Sequence, residues 1–244
     1  TGNSINNIAC PPVTVISDQS SCESSPILGT WNGVDTCTVV DFVINSGDSV
    51  TIDSGITLLA SNINNNGILN NSGTIENHGT LNNIDTLINN NIITNLFGAN
   101  IYNSGTISNH GTGTITNHGR LDLSLGGLIT NDGAIDNYNN IFNNGGTITN
   151  NAIIQNKIGG SFDNNGNINN SLGSTITNSD FFTNDSIITN EGMIINDSTI
   201  ENWDTITNFG VITNNDTISN FGSIDNQCGS VYSGTAPTGN SIND

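Results

Sequence analysis

The sequence predicts an all-β fold, a β-solenoid (β-helix) of hexapeptide-like strands, from three observations. A six-residue unit, apolar-x-Asn-x-Gly/Asp/Asn-x, recurs 26 times between residues 63 and 226. Asn follows the apolar residue two positions later in every unit except the one at Leu121, where Leu123 stands instead. Asn, Gly, Thr and Ile dominate while Ala, Lys and Arg are scarce, which disfavours helix. Repetition at a fixed period is typical of stacked coils rather than of a globule with one central core.

Each unit predicts one short strand followed by a corner. The apolar residue and the Asn lie two positions apart, so on an extended chain both side chains point inward. Four positions after the apolar residue stands Gly in twelve units, or Asp or Asn in others. These residues tolerate the left-handed backbone conformation of a tight corner, so we expect the chain to turn there. We also expect the inward Asn side chains to form hydrogen-bonded ladders along the rod.

Second-order repeats favour two strands per coil of 12–14 residues. Asn184-Asp185-Ser186 returns twelve residues later as Asn196-Asp197-Ser198, and Asn208-Phe209-Gly210 returns as Asn220-Phe221-Gly222. Two-residue insertions recur every fourteen residues in part of the array, which predicts one edge with a longer corner. A three-sided coil would repeat at eighteen residues.

Composition shifts divide the chain into three parts. Residues 1–38, with Pro11-Pro12 and three cysteines, are expected to form an N-terminal cap and assembly segment. Residues 39–226 are expected to form the solenoid, and residues 227–244 a polar C-terminal tail that also serves assembly.

The charge balance excludes several classes of partner. The chain carries a net charge of −19 with only two basic residues, Arg120 and Lys157. Nucleic acid and anionic membranes would be repelled by such a surface. No apolar run is long enough to span a bilayer, so we expect no membrane insertion. The first residue is Thr1 rather than Met, so we expect a mature or excised segment.

The four cysteines are candidate disulfide residues, because a secreted chain normally oxidises them. Cys10, Cys22 and Cys37 precede the repeats and Cys228 follows them. Unless the N-terminal segment runs back along the rod, Cys228 would lie too far from the other three to pair within one chain. We therefore expect Cys228 to pair with an N-terminal-region cysteine of a neighbouring molecule.

The sequence of residues 1–6 is repeated at residues 238–243. Both segments read Thr-Gly-Asn-Ser-Ile-Asn. Matched segments suit an interlocking polymer, whereas chance in a Thr/Gly/Asn/Ser-rich chain, or a cut at a repeat of a longer protein, would explain them equally. Heterologous end-to-end contacts do not close and so generate fibres.

No catalytic, cofactor-binding or metal-binding site is expected, and the chain is interpreted as a non-enzyme without a cofactor. His78, His110 and His118 each follow an inward Asn and are interpreted as exposed corner residues. Carboxylates twelve or fourteen residues apart are expected to stack on neighbouring coils and to splay into water or bind cations weakly. Those pairs are Asp122 with Asp136, Asp185 with Asp197, and Asp204 with Asp216.

Three further surface features have structural or binding interpretations. Thr-Ile-Thr dyads at residues 114–116, 147–149, 175–177 and 205–207 resemble the array of ice-binding solenoids, although the ladder is expected to be interrupted. Phe209 and Phe221 are expected to stack, with Trp203 nearby. Possible N-glycosylation acceptors in Asn-x-Ser/Thr motifs are Asn70, Asn169, Asn184, Asn196 and Asn215.

Two units carry a family resemblance. Ile75-Glu76-Asn77-His78-Gly79-Thr80 and Ile107-Ser108-Asn109-His110-Gly111-Thr112 resemble the Asn/Gly-rich β-strand repeats of microbial surface proteins, including filamentous-haemagglutinin-like adhesins. The resemblance covers about two thirds of the chain and implies an extracellular or cell-surface β-solenoid. The period here is shorter than in the haemagglutinin type, and no secretion domain is recognisable.

The resulting expectation is a structural subunit of an extracellular filament that stacks head to tail on copies of itself, joined through terminal segments and disulfides. The alternatives are a monomeric adhesin stalk that recognises surface glycans and, third, an ice-binding protein.

Overall fold

The computed structural model describes residues 13–243 and confirms the all-β solenoid. Parallel strands stack into a three-sided rod, whose sides we call faces A, B and C in the order in which the chain visits them. Face A holds eleven strands: β1 (Val13–Ile16), β4 (Ser49–Ile52), β6 (Ile68–Asn71), β8 (Thr86–Asn89), β11 (Thr106–Asn109), β14 (Leu128–Asn131), β17 (Thr147–Asn150), β20 (Asn167–Asn170), β23 (Ile187–Asn190), β26 (Thr205–Asn208) and β29 (Ser223–Asn226).

Faces B and C are joined near the N-terminus by three long strands that run around the corner between them: β3 (Thr36–Ile44), β5 (Thr57–Asn65) and β7 (Thr74–Asn83). Face B continues with β9 (Ile92–Asn95), β12 (Thr114–Asn117), β15 (Ala134–Asn137), β18 (Ile153–Asn156), β21 (Thr175–Asn178), β24 (Met193–Asn196), β27 (Val211–Asn214) and β30 (Val231–Gly234). Face C continues with β10 (Asn100–Asn103), β13 (Arg120–Leu123), β16 (Asn140–Asn143), β19 (Ser161–Asn164), β22 (Phe181–Asn184), β25 (Thr199–Asn202), β28 (Thr217–Asn220) and β31 (Thr238–Gly239).

The expectation of two strands in a 12–14-residue coil is wrong, because each coil has three strands. Asn65 lies beneath Asn83, eighteen residues later, and Asn95 lies beneath Asn117, twenty-two residues later. The twelve-residue echoes therefore mark corresponding corners on different edges of the rod. The echoes suggested the wrong number of strands per coil, because the six-residue unit specifies one strand and one corner but does not specify how many units close a coil. Inserted corners, such as residues 53–56, 96–99 and 124–127, occur on all three edges rather than on one.

The core is a prism filled by one apolar side chain from each strand. Every apolar residue of the repeat from Ile63 to Ile224 is at most 2 % exposed. Identical residues stack in register, as where the rings of Phe162 and Phe182 lie 4.7 Å apart and nearly parallel. Burying such side chains is the main favourable term of folding, and it needs neighbouring coils on both sides.

Asparagine ladders occupy the three inner edges, as expected. Except below Leu123 and in the last coil, the side-chain Nδ2 of a ladder Asn donates to Oδ1 of the Asn one coil later, at 2.7 to 2.9 Å. The same Nδ2 also donates to a backbone carbonyl at the start of a strand in that next coil, as from Asn65 to the oxygen of Thr86. Polar groups at the corners are thereby paired although they are fully buried, apart from Asn71 Oδ1 and Asn143 Oδ1.

The repeat glycines were expected to adopt left-handed backbone conformations, and this is wrong for most of them. Among the twelve, only Gly145 has a positive φ, of 86°. At corners such as Gly105, a Cβ would overlap the backbone carbonyl of Asp85 in the preceding coil. Close approach of one coil to the next therefore selects glycine there. Left-handed glycines instead occupy the longer corners, as Gly126 does at φ 88°.

The N-terminal end carries a small cap. Helix α1 (Gln19–Glu23) begins at Asp18, whose carboxylate accepts from the backbone N–H of Ser21 while the hydroxyl of Ser21 accepts from the N–H of Asp18. A disulfide joins Cys22 of this helix to Cys37 of β3, and both are fully buried. Strand β2 (Thr30–Trp31) pairs antiparallel with β3. The sheets extend beyond the expected bounds of 39–226, since β1, β30 and β31 also stack on the coils.

Candidate assembly ends and outer faces

The N-terminal end presents two strand edges. Within residues 13–243, β1 pairs only with β4, and the half of β3 that lies on face C (residues 41–44) pairs only with β5. The face B half of β3 is covered by the antiparallel strand β2. Unpaired parallel edges are therefore available on faces A and C at this end.

The C-terminal end presents strand edges on faces B and C, so face C is the face that is open at both ends of the described chain. In the described chain, β30 pairs only with β27, and the two-residue strand β31 pairs only with β28. All solenoid strands are parallel, so the edge at one end has the polarity that continues the edge at the other end. The two ends of the rod can therefore join in only one relative direction.

The segment 238–243 lies across faces C and A of the C-terminal end, and four of its residues fix it there. Gly239 adopts φ 86° against β28, at a site where a Cβ would overlap the carbonyl of Asn220. Asn240 receives the Nδ2 of Asn220 on its carbonyl at 3.0 Å and donates its own amide to the carbonyls of residues 221 and 222. Ile242 packs against the core, and Asn243 pairs with β29. The matching segment 1–6 lies outside the described residues.

The cysteines separate into a buried pair and an exposed thiol. Because Cys22 and Cys37 are bonded to each other, neither is available for a disulfide to a neighbouring molecule. Cys228 is exposed in a long corner at the C-terminal end, where its partner remains a prediction. Cys10 lies outside the described residues.

Two of the five glycosylation candidates are corrected. Asn184 and Asn196 are fully buried ladder residues, so their amides are inaccessible in the folded chain. Their motifs arise because the ladder Asn precedes a corner of small polar residues. Asn169 and Asn215 are exposed and Asn70 is partly exposed, so these three remain sterically possible acceptors.

The histidines lie at corners and do not converge. His78 and His110 are exposed on different edges. His118 is half-buried, and its ring stacks on Tyr138 in the next coil with centroids 4.7 Å apart. Among residues 13–243, no group of three or more His, Cys, Asp or Glu side chains could hold a metal ion.

The expected carboxylate pairs are wrong, because the coil has three strands. Asp122 lies on face C and Asp136 on face B. Each is instead beside one of the two basic residues: Arg120 lies 2.5 Å from Asp122, and Lys157 lies 3.3 Å from Asp136. The other expected pairs, Asp185 with Asp197 and Asp204 with Asp216, likewise occupy different edges. Like charges are thus kept from stacking at the short distance between strands.

The outward carboxyl group of Asp163 has a pKa that is shifted by its surroundings. Partial burial on face C raises the pKa of Asp163 above its usual range. Hydrogen bonds from Ser161 and Thr183 oppose that shift of the pKa, and the charge of Asp185 adds to it. The carboxylate is therefore in an environment that disfavours its ionised form.

Face A is almost free of charge although the chain is strongly acidic. Its ten strands from β4 to β29 place their first and third residues outward, and Asp225 is the only charged residue among these positions. Thr, Ser, Ile, Leu and Asn occupy the others. Face A is thus a flat surface of small hydroxyl, amide and aliphatic groups, about 10 Å wide for a four-residue strand.

The Thr dyads do not make an unbroken array. Dyads 147–149 and 205–207 lie on face A, separated by strands that carry Asn167 and Ile187 outward. Dyads 114–116 and 175–177 lie on face B, separated by strands that carry Ala134 and Ile153 outward. The expected interruption of the ladder is confirmed.

The expected stack of Phe209 on Phe221 is wrong. Phe221 stacks on Trp203, with ring centroids 4.2 Å apart, at the corner between faces C and A. Phe209 lies on another edge, beside Leu172 and Met193 in a shallow apolar groove. The cause is again the coil length, since residues 203 and 221 are eighteen apart.

No helix among residues 13–243 has the length and apolar character needed to cross a membrane. Comparison with known proteins gives no match to a family model, a curated protein or a solved structure.

Proposed function

We propose that this chain is a non-enzymatic structural subunit of an extracellular filament, in which solenoids stack head to tail. The observation that carries the proposal is that parallel strand edges of the same polarity are open at both ends of the rod, with face C open at each end. Parallel strand edges face outward on faces A and C at the N-terminal end, and on faces B and C at the C-terminal end. An unpaired edge is a template for another strand, and a contact between unlike ends repeats without closing.

Charge distribution supports end-to-end rather than side-by-side association. With a net charge of −19, neighbouring rods repel each other laterally. The acidic residues lie mainly at the corners along the length of the rod, and end-on stacking keeps these edges apart from those of other filaments. The buried disulfide between Cys22 and Cys37 in the cap supports an oxidising, extracellular setting.

Electron microscopy of the purified protein tests this proposal. Eleven strands on face A at about 4.8 Å spacing give a subunit about 53 Å long. We expect unbranched fibres with an axial repeat near that length. Isolated rods at all protein and salt concentrations would contradict the proposal.

Face A supports one alternative, a monomeric adhesin stalk. A flat uncharged surface suits contact with neutral surface glycans better than with charged partners. Binding of the protein to a panel of neutral glycans, lost in Thr149→Glu but kept in Thr177→Glu on face B, would favour that alternative. The interrupted Thr dyads give an ice-binding function no comparable support.

A further inference from the structure

We propose that residues 1–7 of one subunit replace residues 238–244 on the C-terminal end of the next, so that the filament joint is an exchanged segment. This inference rests on the proposed head-to-tail filament and specifies its contact. At the C-terminal end, residues 238–243 occupy the receiving site, and residues 1–6 are a second copy of that segment in sequence.

The receiving site selects particular side chains at three positions of the segment that occupies it. The position of Gly239 admits only glycine, because a side chain would overlap the carbonyl of Asn220. The position of Asn240 needs an amide that donates to two carbonyls, at 2.8 and 2.9 Å. The position of Ile242 packs an apolar side chain on the core. Residues 1–6 supply the same side chain at every one of these positions, since Gly2, Asn3 and Ile5 correspond in order.

The register favours the exchanged segment at one further position. Asn243 lies over Asp225 of β29, and an incoming strand that continues in this register would place its next residue over Asn226. That position holds Asn in the preceding face A strands from β6 to β29. In the sequence, Asn7 follows the N-terminal hexapeptide, whereas Asp244 follows the C-terminal one. Ser4-Ile5-Asn6-Asn7 therefore matches the pattern of a complete solenoid strand, with an amide that continues the ladder.

The faces and the chain length also agree. Segment 238–243 covers faces C and A, which are the faces whose edges are open at the N-terminal end. From Asn7 over one subunit to Val13 of β1 in its own subunit there are six residue steps, which reach at most about 20 Å. The start of a face A strand lies only about 11 Å from the end of the strand beneath it, from four residues of strand and one strand spacing.

The same placement brings a cysteine of each subunit into one corner. Cys10 follows Asn7 by three residues, and Cys228 follows Asn226 by two. Cys22 and Cys37 are already bonded to each other. With oxidised glutathione, the thiols of Cys10 and Cys228 form one S–S bond, and their two electrons and two protons reduce the oxidant to two glutathione molecules.

One substitution placed in either copy of the hexapeptide tests the exchange in the full chain. Gly2→Val blocks the incoming segment, whereas Gly239→Val weakens the resident segment that competes with it. We expect sedimentation velocity and microscopy to show at least tenfold less assembly for Gly2→Val, and assembly equal to or above wild type for Gly239→Val. Thermal unfolding of each variant checks that the solenoid is intact.

The outcomes separate the two proposals. Filaments of Gly2→Val equal to wild type, or equal losses in both variants, would overturn the exchange and leave the filament standing. Wild-type protein that never assembles would overturn both. Should Gly239→Val not fold, the cross-link decides: filaments from mixed ¹⁵N-labelled and unlabelled subunits, oxidised with glutathione, should yield a mixed-isotope Cys10–Cys228 peptide. Its absence from assembled filaments would overturn the exchange.

Discussion

Leu123 lies in register beneath Asn143, at the one position between residues 65 and 226 where an asparagine ladder is interrupted. In the described chain, Asn143 Oδ1 is buried and receives no hydrogen bond. Asn103, one coil below Leu123, donates only to the carbonyl of Leu128 at 2.9 Å. A buried acceptor without a donor destabilises the fold by about 1–3 kcal/mol, so the interruption is a local weakness of the rod.

Because Leu123 interrupts the ladder, replacing Asn143 should destabilise the fold less than replacing Asn164, its neighbour in the ladder. Asn143→Leu removes one unpaired acceptor and leaves Asn164 Oδ1 with the N–H of Gly166 at 3.4 Å, whereas Asn164→Leu removes the amide that donates to Asn184 Oδ1. We expect the free energy of unfolding in urea to fall about 1–3 kcal/mol less for Asn143→Leu than for Asn164→Leu. In a Leu123→Asn background, Asn143 Oδ1 gains a donor, so the difference between the two substitutions should become smaller. Equal effects in the wild-type background would contradict the assignment of an unpaired oxygen.

The disulfide in the N-terminal cap should stabilise that end of the rod. Fifteen residues separate Cys22 from Cys37, and closing a loop of that size stabilises by about 3 kcal/mol in the chain-entropy model. We expect Cys22→Ala/Cys37→Ala to lower the unfolding temperature, and reducing agent to do the same to the wild type. Cys228→Ser is the control, since that thiol is exposed and should leave thermal unfolding of the isolated subunit unchanged.

Two adjacent phenylalanines should differ sharply in their contribution to stability. The ring of Phe182 is 1 % exposed and stacks on Phe162, whereas Phe181 points outward and is 36 % exposed. We expect Phe182→Ala to lower the free energy of unfolding by about 3–5 kcal/mol, because a cavity opens between two coils. Phe181→Ala should lower it by no more than about 1 kcal/mol. Similar losses for both variants would contradict the inward and outward assignment.

The sequence could predict the strands because each unit carries its own signals. Alternation of Ile and Asn specifies which side chains point inward, and every repeat Ile from Ile63 onward is buried as expected. The number of strands per coil was missed, since closure depends on how three faces fill a common core, and short-range echoes such as those at residues 184 and 196 compete with the eighteen-residue period. That one error displaced the carboxylate pairs and moved the partner of Phe221 from Phe209 to Trp203. The cysteines and the matched segments were recognisable in the sequence, but the pairing of Cys22 with Cys37 depends on the fold, which brings helix α1 against β3.

The cost in stability of replacing a repeat glycine should depend on how closely a neighbouring coil approaches it. At Gly105, a Cβ would overlap the carbonyl of Asp85, whereas at Gly111 the nearest atom would be the carbonyl oxygen of Asp132 at 3.8 Å. We expect Gly105→Ala to destabilise by about 1–3 kcal/mol, because the coils must separate locally. Gly111→Ala should change stability by about 0.5 kcal/mol or less. Chemical denaturation of the two variants measures the free energy of unfolding. An equal loss in both would indicate that backbone conformation, rather than contact between coils, selects glycine.

Asp163 should make a defined contribution to the pH dependence of stability. Burial raises the pKa of Asp163 in the folded chain above the usual value of 3.8, so the folded state binds this proton more tightly than the unfolded state does. Its contribution to the free energy of unfolding therefore falls as pH rises from 3.8 through the folded-state pKa, and then stays constant. We expect Asp163→Asn to remove this fall, so that the stability of the variant relative to wild type increases across that window and levels off above it. Urea unfolding of both proteins at a series of pH values measures the difference, and a relative stability that stays flat or declines with pH would contradict the raised pKa.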